Sequence, residues 1–184
     1  MPKREDYRLR PITQEDLETV LMWRNSDRIR AVMFSDHIIT VDEHLAWFRS
    51  INQREDVKCL VFEFECRPVG LMYFTQIDRD NSKCAWGFYL GEETLPKGTG
   101  SAMGFLGVEF AFVDLGVRKL SGEVLAFNTA SIRFHKRLGF VEEGHFVEHV
   151  VKNGKYEDVL SFALFKDHWQ RNKSELEALI FTKR

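Results

Sequence analysis

Gly98-Thr99-Gly100-Ser101, heading a long apolar segment, and Asn128-Thr129-Ala130-Ser131-Ile132-Arg133-Phe134-His135-Lys136-Arg137-Leu138-Gly139-Phe140, one short strand further on, decide the fold. The first is a loop of small residues ahead of a helix. Because the first N–H groups of a helix have no internal acceptor, such a loop is an anion site suited to a phosphorylated cofactor. The second opens on Asn128, which suits a helix cap, and closes on Gly139, which suits the left-handed position that ends a helix. Phe140 then starts a strand.

Working outward, residues 7–12 read as a strand, and Thr13 caps a helix that carries Leu17, Val20, Leu21 and Trp23 on one face. Thr40-Val41-Asp42-Glu43 is a capping box ahead of Leu45, Phe48 and Ile51. Pattern alone leaves residues 26–39 unassigned. From Lys58 the period shortens to two over 60–64, 69–77 and 83–90, with turn residues between, which predicts an antiparallel meander. Residues 101–115 form the helix after the glycine loop, 119–127 a strand and 131–138 the second helix. Strands 140–151 and 156–165 flank Asn153-Gly154, a strong hairpin signal. The tail from about residue 166 is expected to be helical and peripheral. The sum is one α/β (α+β) domain over 1–184, a mixed, mostly antiparallel sheet with helices on both faces.

With 184 residues, 44% of them hydrophobic, the chain can bury one proper core. The net charge of -2 gives no overall attraction to nucleic acid or to an anionic membrane, so anion binding has to be local. No apolar run approaches the roughly 18 residues that span a bilayer, and no signal-peptide core follows Met1-Pro2-Lys3-Arg4. The expected location is cytoplasmic. Cys59, Cys66 and Cys84 lack CxxC spacing and lie in apolar, strand-like stretches, so they are expected to be reduced core residues, with no metal site.

Three phosphate-binding readings compete. A Walker-type loop needs glycine immediately before Lys-Ser/Thr, and Pro96-Lys97-Gly98 fails that test. The dinucleotide fingerprint is loosely met by Gly98, Gly100 and Gly104, with Glu123 near the place of a ribose-binding acid. Against it, the preceding strand belongs to a meander and no further βαβ units follow. The third reading is an acyl-CoA site. Gly104 and Gly107, on one helix face, are expected to serve close packing on the sheet.

In its order of strand, glycine loop, helix, strand, Asn-capped helix, Gly-Phe and hairpin, nearly the whole chain resembles the GNAT acetyltransferase superfamily. The family's loop pattern, Arg/Gln-x-x-Gly-x-Gly/Ala, is met by Leu95-Pro96-Lys97-Gly98-Thr99-Gly100 with a departure at Leu95. Its second pattern, Asn-x-x-Ala/Ser-x-x-x-Tyr-x-x-x-Gly-Phe, is met by Asn128, Ser131, Gly139 and Phe140, with His135 at the Tyr position. The resemblance implies a GNAT-type fold and acetyl-CoA as acetyl donor. It implies binding by Lys97, Gly98, Thr99, Gly100 and Ser101, with the pantetheine arm against Asn128 and Ser131. The same arm is expected along a splayed strand at Phe88, Tyr89 and Leu90, where a backbone N–H would stabilise the oxyanion. Position 135 would protonate the departing thiolate, and an imidazolium is a better acid than a phenol. Glu123, in an otherwise apolar strand, is the expected general base, with burial raising its pKa.

Trp23-Arg24-Asn25 and His44-Leu45-Ala46-Trp47-Phe48 resemble the amino-sugar N-acetyltransferases of pseudaminic acid biosynthesis, and ribosomal-protein acetyltransferases share a similar Trp-Arg-Asn region. That resemblance implies direct attack by the 4-amino group of a UDP-linked 4-amino-4,6-dideoxy sugar, without a covalent enzyme intermediate. Arg24, Arg28 and Arg30 offer forked donors for a diphosphate, while Met33, Phe34, Trp47 and Tyr73 offer cover for the sugar methyl and the uracil. Asn25 and His37 complete the expected acceptor site. In the same chemistry the alternatives are a ribosomal-protein N-terminal or an antibiotic acetyltransferase. From another class the alternative is a non-catalytic acyl-CoA-binding module. The expected partner is a small-molecule nucleotide sugar, with no nucleic acid and no membrane, and a homodimer is allowed.

Overall fold

The computed structural model describes residues 3–182. Seven strands, β1 (Tyr7–Pro11), β2 (Lys58–Phe64), β3 (Arg67–Asp78), β4 (Lys83–Leu90), β5 (Lys119–Leu125), β6 (Val141–Lys152) and β7 (Lys155–Phe165), form one sheet in the order β1-β2-β3-β4-β5-β7-β6. Neighbouring strands are antiparallel except β4 and β5, which run parallel.

Strand alternation sorts the side chains into two layers. Leu60, Phe62, Met72, Phe74 and Trp86 pack beneath α4 (Thr99–Glu109), α5 (Thr129–Arg137) and α6 (Lys166–Phe181). On the other face Cys59, Val61, Leu71 and Tyr89 meet α1 (Leu17–Asn25), α2 (Asp27–Arg30) and α3 (Val41–Asn52). The sheet therefore separates a helical layer built around the glycine loop from one built by the first third of the chain.

Local chemistry explains the element ends. The Thr40 N–H donates to the Glu43 carboxylate at 2.7 Å, and the Glu43 N–H donates to the Thr40 hydroxyl at 3.3 Å, as the capping box predicts. Asn128 accepts from the Ser131 N–H at 3.1 Å and so starts α5. Gly98 precedes α4 at φ 95°, where L side chains are strained. Asn153 and Gly154 both take positive φ in the β6–β7 turn, as the hairpin signal requires.

Several expectations are corrected. The helix after Thr13 begins with a 3-10 turn, Gln14–Asp16, before α1. The unassigned stretch 26–39 contains α2 and a loop leading to α3. Cys66 is exposed, because Glu65 and Cys66 form the two-residue β2–β3 turn at φ 48° and 62°; only Cys59 and Cys84 are buried. The C-terminal tail is helical but not peripheral: Trp169 is buried beside Phe105 and Phe112, and Phe181 meets Tyr7. Gly104 and Gly107 do pack closely, since added Cβ atoms would fall 2.5 Å from the Phe134 ring and 2.3 Å from the Met72 sulfur.

Candidate active site

The sheet has a gap. β4 and β5 pair from Lys83 with Lys119 to Ala85 with Ser121 and then part, although β4 stays paired with β3 to Leu90 and β5 with β7 to Leu125. The Gly91 N–H bonds the Val69 carbonyl at 2.8 Å, so alternation along β4 turns the N–H groups of Phe88 and Leu90 toward the gap. This is the splay expected at Phe88, Tyr89 and Leu90.

A cavity of about 550 Å³ reaches both sides of the sheet through that gap. On the α5 side it meets Asn128, Ser131 and His135; at the gap, Trp86, Phe88 and Glu123; beyond it, a chamber with Arg24, Met33, Phe34, Trp47 and Tyr73 in its wall. Glu123 is exposed, so the burial expected of it is absent.

The chamber holds buried polar atoms without partners. Arg24 uses Nη2 to bond the Ser35 carbonyl at 2.9 Å, while its Nη1 is buried and unpartnered. The Tyr89 hydroxyl and His44 Nε2 are in the same condition. Burial raises the pKa of the Tyr89 hydroxyl, keeping it protonated. Burial also lowers that of His44, against a hydrogen bond to the Leu17 backbone, keeping its ring neutral.

Three residues expected in the acceptor site stand outside the cavity. Asn25 exchanges two 2.8 Å bonds with the backbone of Ile39, pinning the loop between α2 and α3. Arg30 bonds Asp27 at 2.6 Å and the Asp36 carbonyl at 3.2 Å, and His37 is exposed beside Ser35 and Glu43. None of the three lines the cavity. Arg24, Met33 and Tyr73 do.

A second depression lies at the glycine loop, with Leu90, Leu95, Gly98, Gly100 and Arg28 around it. Thr99 also lines it but is buried, its hydroxyl bonded to the Pro96 carbonyl at 2.8 Å and 3.1 Å from the Tyr7 hydroxyl, so its side chain anchors the loop. Lys97 is exposed and Ser101 half-buried, and neither lines these two cavities. Arg28 donates to the Gly91 carbonyl at 2.7 Å and sits at this loop, apart from the chamber where it was expected with Arg24. It brings to this loop a positive charge that Leu95 lacks, though it pairs with Glu93 at 3.7 Å, and Glu92 and Glu93 stand in the same wall. Backbone N–H groups at a helix start, a nearby guanidinium and an open sheet edge suit the pyrophosphate and amide-rich arm of acetyl-CoA.

His135 is buried against the gap. Its Nε2 accepts from the Trp86 indole at 3.2 Å and its Nδ1 lies 2.9 Å from the Ser131 carbonyl oxygen. A carbonyl only accepts, so Nδ1 carries the proton. Burial lowers the ring's pKa, opposed by the Ser131 bond, and favours the neutral form. This geometry does not fit the imidazolium donor expected at position 135. Trp86 did not stand out in the sequence; the signal was its indole N–H, which usually finds a partner when a tryptophan is buried. Arg54, two residues beyond the end of α3, is likewise in the cavity wall without having been expected there.

Residues 7–141 match the family described as acetyltransferase (GNAT) domain. The SPbeta prophage-derived uncharacterized N-acetyltransferase YokL of Bacillus subtilis (strain 168) is 28% identical over 171 residues, covering 91% of this chain and 94% of that protein. Spermidine N(1)-acetyltransferase of Vibrio cholerae is 23% identical over 168 residues, covering 91% and 96%. The structure of spermidine N-acetyltransferase from Vibrio cholerae in complex with CoA and spermine is similar with a TM-score of 0.85 at 21% identity, over 90% of this chain and 99% of that one, a likeness of fold. With its gapped sheet, glycine loop and Asn-capped helix, the chain belongs to the GNAT acetyltransferase family and is an acetyl-CoA-dependent N-acetyltransferase.

Proposed function

We propose that the acceptor is a small amine that also bears an anionic group, the class to which a UDP-linked 4-amino-4,6-dideoxy sugar belongs. Arg24 carries this reading. A buried guanidinium N–H without a partner costs free energy that a ligand phosphate or carboxylate would offset, and the Tyr89 hydroxyl offers a second unpaired group in the same chamber. Arg24 and Arg54 are cations of the wall and Glu123 is its carboxylate; Arg54 is already held by Asp56 through bonds of 2.9 and 2.7 Å, so Arg24 is the cation left for a ligand. A polyamine would bring into that wall charges of the arginines' own sign. It is the second reading, favoured by similarity to spermidine N(1)-acetyltransferase along 91% of the chain.

Acetyl-CoA supplies the acetyl group as a thioester. Arg28 and the N–H groups at the start of α4 would hold its pyrophosphate, and the Phe88 and Leu90 N–H groups would meet its arm or the developing oxyanion. Glu123, beside the gap, would take the ammonium proton directly or through water, so that a neutral amine attacks. The reading includes a cytoplasmic location, where Cys59, Cys66 and Cys84 stay reduced.

Thiol release from acetyl-CoA with the UDP-amino sugar, spermidine and a ribosomal-protein N-terminal peptide tests the acceptor. The expected result is the highest kcat/KM with the nucleotide sugar and competitive inhibition by UDP. A kcat/KM about tenfold or more higher for spermidine, a difference of about 1.4 kcal/mol, reassigns the acceptor to the polyamines.

A further inference from the structure

We infer that His135 is a positioning residue which, through the Trp86 indole, fixes the closed end of the gap between β4 and β5. The strands pair as far as Ala85 and Ser121, and the next residues are Trp86 and Gly122. A Cβ on Gly122 would lie 2.8 Å from Trp86 Nε1 and 2.9 Å from His135 Nε2. The bond between indole and imidazole therefore runs against the β5 backbone at the first unpaired position.

The surroundings hold it there. The His135 ring is stacked on Phe162 of β7 with centroids 5.4 Å apart and lies edge-on to Phe140 at 5.0 Å. Trp86 stacks on Phe140 at 5.2 Å with the planes 11° apart. One hydrogen bond thus joins β4 to α5 beneath β5, on a floor supplied by β7. Between Leu90 and Ala85, β4 runs against β3 without a shift of register, so no inserted residue in β4 makes the opening. The bulk of Trp86 against a residue without a side chain is the steric feature at the point where pairing stops. With both ring nitrogens engaged, His135 acts on the reaction through the shape of the gap that receives the acyl-CoA arm. The inference is independent of the acceptor.

Steady-state kinetics of the full chain separate this role from proton donation. His135→Leu removes the acceptor of the indole bond and is expected to raise the acetyl-CoA KM about tenfold, with kcat within about threefold of the parent. His135→Gln returns an acceptor to the indole without a ring proton and is expected to recover most of that KM. Trp86→Phe keeps an aromatic ring but loses the donor and part of the bulk against Gly122, and is expected to raise the acetyl-CoA KM at least as far as His135→Leu. A proton donor at position 135 behaves in the opposite way: both His135 variants lose about 100-fold or more in kcat at unchanged acetyl-CoA KM, and Trp86→Phe changes neither constant. That pattern overturns the inference. If His135→Leu does not fold, His135→Gln and Trp86→Phe carry the same two signatures, with urea unfolding reporting that each is folded.

Discussion

The ammonium of Lys152, at the end of β6, donates to the carbonyl of Met33 at 2.8 Å, joining positions 119 residues apart. A second bond runs to the Arg30 carbonyl at 2.9 Å, and the neighbouring Asn153 N–H meets the Asp36 carboxylate at 3.1 Å. The β6–β7 hairpin tip is thereby fastened to the loop that brings Met33, Phe34 and Ser35 to the chamber wall. Lys152→Met keeps the chain length and loses the donors, leaving two carbonyls without them. It is expected to raise the acceptor KM about threefold to tenfold at unchanged acetyl-CoA KM, and to lower stability by about 2 kcal/mol. Equal increases in both KM values would show that the fastening serves the whole fold and not the chamber.

Arg28 makes the complementary prediction on the donor side. Its guanidinium lies at the glycine loop, where Leu95 leaves the family's basic or amide position empty of charge. Arg28→Ala is expected to weaken acetyl-CoA binding about tenfold in isothermal titration, the value of one good charge-assisted contact. Because the side chain is exposed, the defect should shrink as ionic strength rises. A defect that ignores salt would mean that the residue acts only by holding the Leu90 and Gly91 carbonyls.

Signals written within a few residues were legible in the sequence. The Thr40–Glu43 box, the Asn128 cap, the glycine of the loop and the Asn153-Gly154 turn each act over four residues or fewer, and each stands where it was expected. Signals written across the sheet were not. Asn25, Arg30 and His37 read as ligand donors, but Asn25 is taken up by the Ile39 backbone, Arg30 by Asp27 and the Asp36 carbonyl, and His37 stands beside Ser35 and Glu43, as the loop before α3 arranges them. His135 reads as standing at the family's Tyr position, but Trp86, 49 residues earlier, decides what its Nε2 does. Cys66 looked like a strand residue because turn residues with positive φ are usually glycine or asparagine, and here they are Glu65 and Cys66.

Glu123→Gln tests the route of the amine proton. The carboxylate is beside the gap and open to water, so its loss is expected to reduce kcat about 100-fold, the lower end for a positioned base, because water can take its place. Without it, turnover depends on acceptor that arrives already neutral, and that fraction falls with pH. The deficit should therefore widen toward acid. Parallel pH–rate profiles for parent and variant would remove Glu123 from the reaction.

Gly104 links packing to the gap. A Cβ there would fall 2.5 Å from the Phe134 ring and 2.7 Å from a Leu138 methyl, and Phe134 packs on Phe88 with centroids 4.9 Å apart. Gly104→Ala gains about 1 kcal/mol of helix propensity but forces these rings to move, at about 1–3 kcal/mol. The expected net is a loss of about 1 kcal/mol in urea unfolding with a raised acetyl-CoA KM, since Phe88 faces the cavity. Stabilisation of the variant would show that Phe134 has a free alternative position.

Acid should unfold the protein in two stages, from groups of different kinds. Burial lowers the pKa of His135, and of His44, from the ordinary 6.5, opposed in each by one backbone bond. The unfolded chain therefore binds protons that the folded one refuses, and stability falls as pH drops below about 6.5. Asp16 and Glu63 come next. Burial opposes their ionisation, but Arg10 grips Asp16 through two bonds of 2.6 and 2.7 Å and reaches Glu63 at 2.7 Å, with Arg8 on the other Glu63 oxygen. The partners win, and both carboxyls are held below their ordinary 3.8 and 4.5. Their contribution is complete above pH 4.5 and is lost as pH falls through the depressed values. Asp16→Asn should cost about 2 kcal/mol at pH 7 and flatten the lower stage while leaving the upper one in place. Urea unfolding at pH steps from 8 to 3 measures both. A single loss confined below pH 4.5 would mean that His44 and His135 take up protons in the folded state, contrary to their burial.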